Sequence, residues 1–258
     1  RDGNDNIVGG DGDDDLAGNN DNDVIDGGAG NDVIDGGEGN NTLSAGAGDD
    51  LITSGSGSDS IDGGDGDDVI TAGTGNDVID GGDGSDGLIE SAIAGDVTIT
   101  DVAVNGADSD TITSIETIEL IGDDSPHFFD ARGYTSGNVI LRGGDADDIL
   151  AGGSGNDKLY GYGGDDILAG FAGADTFNGS SGNDSILGGD GPDNLSGGGG
   201  NDQMVGQGGD DVLNGQGGTD RMAGGSGGGA DSGDVLVGSS GEIDEAFVLD
   251  LDDLLDGA

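Results

Sequence analysis

Aspartate recurs at a nine-residue interval through two long stretches of this 258-residue chain. In the first it stands at Asp5, Asp14, Asp23, Asp32, Asp50, Asp59, Asp68, Asp77 and Asp86, with Asn41 in the one place that departs. In the second it stands at Asp148, Asp157, Asp166, Asp175, Asp184, Asp193, Asp202, Asp211 and Asp220. Glycines crowd the residues before each aspartate, and a large apolar residue follows two positions after it, from Ile7 and Leu16 to Leu213 and Met222. Glycine at positions 1, 2 and 4 of the nine permits positive φ and a tight turn with its carbonyls aimed at one point. The carboxylate at position 6 joins those carbonyls, and carbonyl plus carboxylate oxygen is the ligand set of a hard cation.

Positions 7 to 9 form a very short strand in which only the middle side chain points inward, which gives one apolar core residue per nine. Units such as GGAGNDVID and GGDGDDVIT run in phase through residues 1–90 and 143–223. The pattern resembles the RTX nonapeptide family, GGxGxDxUx with U a large aliphatic, a recognised calcium-binding parallel β-helix repeat. The resemblance implies an all-β fold, a right-handed parallel β-roll or β-helix solenoid whose two repeat blocks are joined by a wider β segment. In the family two nonapeptides make one turn, so strands two repeats apart stack ~4.8 Å along the axis. Asp14 is then expected over Asp32, Asp50, Asp68 and Asp86, and Asp5 over Asp23, Asn41, Asp59 and Asp77.

Family sites face the carbonyls of positions 2 and 4 and the aspartate of one turn with the carbonyls of positions 1 and 3 and the aspartate one coil later. Carried over, one site is Gly10, Gly12 and Asp14 with Gly27, Ala29 and Asp32. The next is Gly28, Gly30 and Asp32 with Ala45, Ala47 and Asp50. At most about fifteen calcium ions fit the two blocks by this coordination logic. They would supply about +30 against a formal charge of -51. Asn41 is expected to weaken the sites on either side, with Glu38 a compensating acid.

Composition limits the other readings. With 56 Asp and Glu against 5 Lys and Arg, the chain repels phosphate, which excludes a nucleic-acid partner. No apolar run approaches the ~20 residues of a membrane span, and the absence of cysteine excludes disulfides and thiolate sites. The chain opens on Arg1, which reads as a processed or excised piece. Residues 91–142 lose the glycines and alternate like strands, as in VTITDVAV, and are read as wider coils of the solenoid or a protruding β-insertion. Residues 224–258 read as a degenerate repeat, with Asp234 a weaker ligand, followed by a C-terminal cap.

No catalytic constellation emerges. His127, the only histidine, lies in SPHFFDA and reads as structural, and GGSGG at 224–228 lacks the strand-to-helix context of a nucleophile elbow. The chain is expected to be a non-enzymatic extracellular structural protein of fibre, surface-layer or adhesin type, with calcium ions as partners. Self-association is expected through end-to-end stacking of coils, through position 7, where Val33, Leu51 and Val69 form an outward aliphatic stripe, or through both. The alternative is the non-catalytic calcium module of a secreted hydrolase or epimerase, beside neighbouring domains. The resemblance implies bacterial type I secretion in either case.

Overall fold

The computed structural model describes residues 3–225 and 235–238, and all regular structure among them is strand. The chain divides into two units, Arg1–Ser91 with Thr100–Glu119, and Ala92–Ile99 with Leu120–Ala258. Each is a parallel β-solenoid built from two facing sheets.

In the first unit, six-residue strands at Asn6–Asp11, Val24–Ala29, Thr42–Ala47, Ser60–Asp65 and Val78–Asp83 stack in one sheet. Three-residue strands at Asp15–Ala17, Val33–Asp35, Leu51–Thr53 and Val69–Thr71 stack in the other. Every pairing spans two repeats: Ile25 lies on Ile7, Leu43 on Ile25, Ile52 on Ile34 and Leu88 on Ile70. Period-two alternation turns these position 8 side chains inward, and Ile25, Ile34, Leu43, Ile52, Ile61, Ile70, Ile79 and Leu88 are buried. Ser109–Thr113 then lies parallel to Val78–Asp83 and pairs antiparallel with Ala103–Asn105.

Not every glycine of the turn is there for positive φ, contrary to expectation at position 1. Second- and fourth-position glycines such as Gly28 (φ 111°) and Gly30 (φ 130°) are left-handed, but the first-position Gly27 is not. Gly27 is required for space instead. A Cβ there would lie 2.5 Å from the Ala45 carbonyl oxygen and 2.5 Å from Asp32 Oδ2.

The second unit repeats the plan, with Phe129, Leu150, Leu168, Ile186, Met204 and Met222 stacked in one sheet's inner row. Leu141, Leu159, Phe177, Leu195 and Leu213 form the facing row. Leu213 next pairs with Leu236, 23 residues on where 18 is the rule, which matches the extra residues after Met222. One apolar residue per nine proves too few here. Position 9 carries a second buried row, Ala169, Leu187, Val205 and Ala223 with Phe171 against it. The equivalent places of the first unit hold Asp26, Ser44, Asp62 and Asp80. Asp234 and the expected cap, the tail EIDEAFVLDLDDLLDGA, lie outside the described residues.

Candidate metal centre

Each turn ends at its position 6 residue, whose side chain reaches back to the coil before it. In the first unit Asp14, Asp32, Asp50, Asp68 and Asp86 make one row, and Asp5, Asp23, Asn41, Asp59 and Asp77 the other. Along both, the backbone N–H of one member donates to the Oδ1 of the member 18 residues later, at 2.6–2.9 Å. In the second unit Asp148, Asp166, Asp184, Asp202 and Asp220 form a row, as do Asp157, Asp175, Asp193 and Asp211, at 2.8–3.0 Å.

Those bonds use one carboxylate oxygen and leave the other. Oδ2 of Asp14, Asp23, Asp32, Asp50, Asp59, Asp68, Asp77 and Asp86 is buried with no hydrogen-bond partner, as is that of Asp148, Asp166, Asp175, Asp184, Asp193 and Asp202. Opposite it stands the position 1 carbonyl of the next coil: an ideal Cβ at Gly9 would be 2.6 Å from Asp14 Oδ2 and 2.5 Å from Gly27 O. The position 3 carbonyls already carry a bond, Ala29 O from the Gly12 N–H at 2.6 Å and Ala47 O from Gly30 at 2.7 Å. Gly10 stacks on Gly28 in the turn ladder. Orphaned carboxylate oxygens beside carbonyls, with neither sulfur nor basic nitrogen in the first unit's rows, fit a hard divalent cation such as calcium. Among the described residues no three acidic or histidine side chains converge to hold a metal unaided, so carbonyls have to complete each shell.

The electrostatics show what a neutralising charge is worth here. Burial raises Asp68 and Asp77 from an ordinary 3.8 to about 6, Asp175 and Asp193 to about 7 and Asp166 to about 8. The N–H bond from the preceding row member opposes this rise, and the charges of stacked aspartates add to it. Burial outweighs the hydrogen bond because an ionised carboxylate away from water needs a counter-charge.

Several row members depart from the plan. Asn41 keeps the ladder through Oδ1, while its amide Nδ2 faces the carbonyls of Gly39 at 3.4 Å and Ser54 at 3.5 Å. A donor thus points where its neighbours present an acceptor, and Glu38 is exposed on a bridge to Asn20 and Ser56 rather than compensating. Asp157 differs too, its Oδ2 accepting the Gly153 N–H at 2.7 Å. Asn41→Asp is therefore expected to raise the calcium bound per chain by one or two ions. Isothermal titration calorimetry beside the parent chain checks this, and an unchanged count would contradict it.

Three further row members escaped the nonapeptide pattern. Asp77 donates its N–H to Asp110 Oδ1 at 2.8 Å, and Asp86 to Glu116 Oε2 at 2.8 Å, so Asp86 does not end its row. His127 donates to Asp148 Oδ1 at 2.8 Å and fills the position 6 place of its coil. Its ring stacks on Phe129 at 5.0 Å, with Nδ1 3.0 Å from Gly95 O and Nε2 3.2 Å from Asp123 O. The legible signal was the apolar residue two places on: Ile112, Ile118 and Phe129, all buried.

Comparison with curated proteins found no match. The RTX calcium-binding nonapeptide repeat, taken as a model of four copies, matches residues 1–34, 26–61, 53–88, 135–159, 142–177, 169–204 and 196–230. These matches cover well over half the chain and coincide with the stacked coils and their rows of orphaned carboxylate oxygens, so the chain belongs to the RTX calcium-binding nonapeptide-repeat family.

Proposed function

We propose that this is an extracellular structural protein, a building block of a fibre, surface layer or adhesin, whose β-roll folds on rows of calcium ions. The observation that carries the reading is the run of buried Oδ2 atoms without hydrogen-bond partners. Stacked carboxylates repel, and the first unit's described residues include no Lys, Arg or His to answer them. Calcium between successive coils, held by the position 6 residues and turn carbonyls, supplies the missing charge at up to about fifteen places. Such a fold depends on the calcium found outside cells. We assign no catalytic role: His127 is held against backbone carbonyls and Phe129, and the described aspartate rows serve the turns.

The structural role rests on the outer face of the short-strand sheet. Val33, Leu51 and Val69 stack there in register and are 44, 47 and 38% exposed. An aliphatic stripe on so charged a surface suits contact with a second copy. Calcium-dependent oligomers or fibres are expected by light scattering and electron microscopy in millimolar calcium, and Leu51→Asp is expected to reduce them. A chain that stays monomeric at high concentration with calcium present would favour the second reading, the calcium module of a larger secreted enzyme.

A further inference from the structure

The turn that leads into the second block keeps the backbone of a nonapeptide turn without its spelling. Gly122, Asp123 and His127 take its position 1, 2 and 6 places. A Cβ at Gly144 would run into Asp123 O just as one at Gly28 would run into Gly10 O, so position 2 stacks on position 2 in both. The His127 N–H makes the ladder bond to Asp148 Oδ1 at 2.8 Å. The Ile149 N–H returns to His127 O at 2.8 Å, as the Ile167 N–H does to Asp148 O one coil later.

What fills the gap is different. In regular turns an ideal Cβ at position 1 meets the next coil's position 1 carbonyl and its own turn's Oδ2. At Gly27 these are Ala45 O and Asp32 Oδ2, both at 2.5 Å. At Gly122 the carbonyl is again present, as Gly143 O, but His127 Cδ2 at 2.5 Å and Nε2 at 2.7 Å stand in place of the carboxylate oxygen. The imidazole edge thus occupies the place of the orphaned Oδ2. Its side chain is fully buried. Nε2 lies 3.2 Å from Asp123 O and 3.2 Å from Asp123 Oδ1, Nδ1 lies 3.0 Å from Gly95 O, and the ring stacks on Phe129. Both nitrogens therefore face oxygen acceptors, and neither turns a lone pair toward a hard cation. Asp123 O, the position 2 carbonyl, is already engaged by the ring.

We propose that His127 takes the place of a calcium ion. Its ring closes the gap between the 122–127 and 143–148 turns through hydrogen bonds and stacking, and this gap takes no ion of its own. The coil that precedes the second block is held on it by a side chain, and Asp148 begins its row with an ion on one side only. This proposal rests on the calcium reading of the regular rows.

The test counts calcium ions per folded chain by equilibrium dialysis at fixed pH, with circular dichroism at saturating calcium as the fold control. His127→Asp removes the ring and returns a carboxylate to the row, and is expected to bind one ion more than the parent with its β signal intact. An unchanged count with intact fold would overturn the proposal. If His127→Asp does not fold, Asp148→Asn and Asp166→Asn decide, since asparagine retains the Oδ1 that each ladder bond needs, as Asn41 does. Asp148→Asn is expected to lose one ion and Asp166→Asn two, and an equal loss would overturn the proposal. A parent chain that binds no calcium would instead overturn the reading of the regular rows, and this proposal with it.

Discussion

In chelator at neutral pH the chain is expected to be a coil by circular dichroism, with β structure emerging cooperatively between about 0.1 and 1 mM calcium. One inward apolar residue per nine in the first unit offers little burial against the entropy of ordering so much glycine. The rows add repulsion rather than cohesion until a cation neutralises them. Cooperativity is expected if each interior carboxylate is shared between two gaps, so that one ion prepares the next coil. A β signal unchanged by chelator would remove the reason for the proposed ions.

The pH dependence has a defined sign. The ion-free roll holds Asp68 and Asp77 at about 6, Asp175 at about 7 and Asp166 at about 8, all above 3.8. Their stabilisation of the ion-free roll is complete below the ordinary value and is lost as pH rises through 6 to 8. The chelated chain should therefore come closest to folding in acid. Protons also compete for the same oxygens, so the calcium midpoint should rise as pH falls from 8 to 6. A midpoint flat across that range would count against ionised row members as ligands.

The second large effect is expected at Asp68. Its Oδ1 accepts the buried Asp50 N–H at 2.9 Å, and its unpartnered Oδ2 faces the gap toward the next coil. Asp68→Ala orphans that N–H, a cost of about 1–3 kcal/mol, and removes a carboxylate expected to serve two gaps. Asp68→Asn keeps the ladder bond and loses only the charge, so it should raise the calcium midpoint less. Asp14→Ala should do least, because Asp14 begins its row and its own N–H still reaches Asp32. Asp86 does not offer such a row end, since Glu116 continues its row. Equal midpoints for Asp68→Ala and Asp14→Ala would deny that interior carboxylates are shared between coils.

The stacking was legible because its information is local and repeated. Glycine, aspartate and an aliphatic at fixed offsets specify one turn and one strand, and copying the unit leaves two repeats per coil as the family's solution. Ile7 on Ile25 and Asp14 beneath Asp32 follow from that alone. What failed to show was whatever broke the unit's spelling while keeping its place. Asp110, Glu116 and His127 stand in the rows without the glycines, because a backbone N–H needs only an acceptor or a slot at that height.

The sequence by itself determined the period, the inward aliphatic rows and the places of the carboxylates, since each depends on residues within one nonapeptide. Only the tertiary structure decided which oxygen of each carboxylate is spent on the ladder and which is left over. It also decided that Gly27 is there for room rather than for φ, that Asn41 turns a donor toward the carbonyls, and that Glu90 is drawn inside. The physical reason is common to all four. Each depends on what the neighbouring coil, tens of atoms away along the chain but within hydrogen-bonding distance in space, presents across the gap, and no single repeat contains that information.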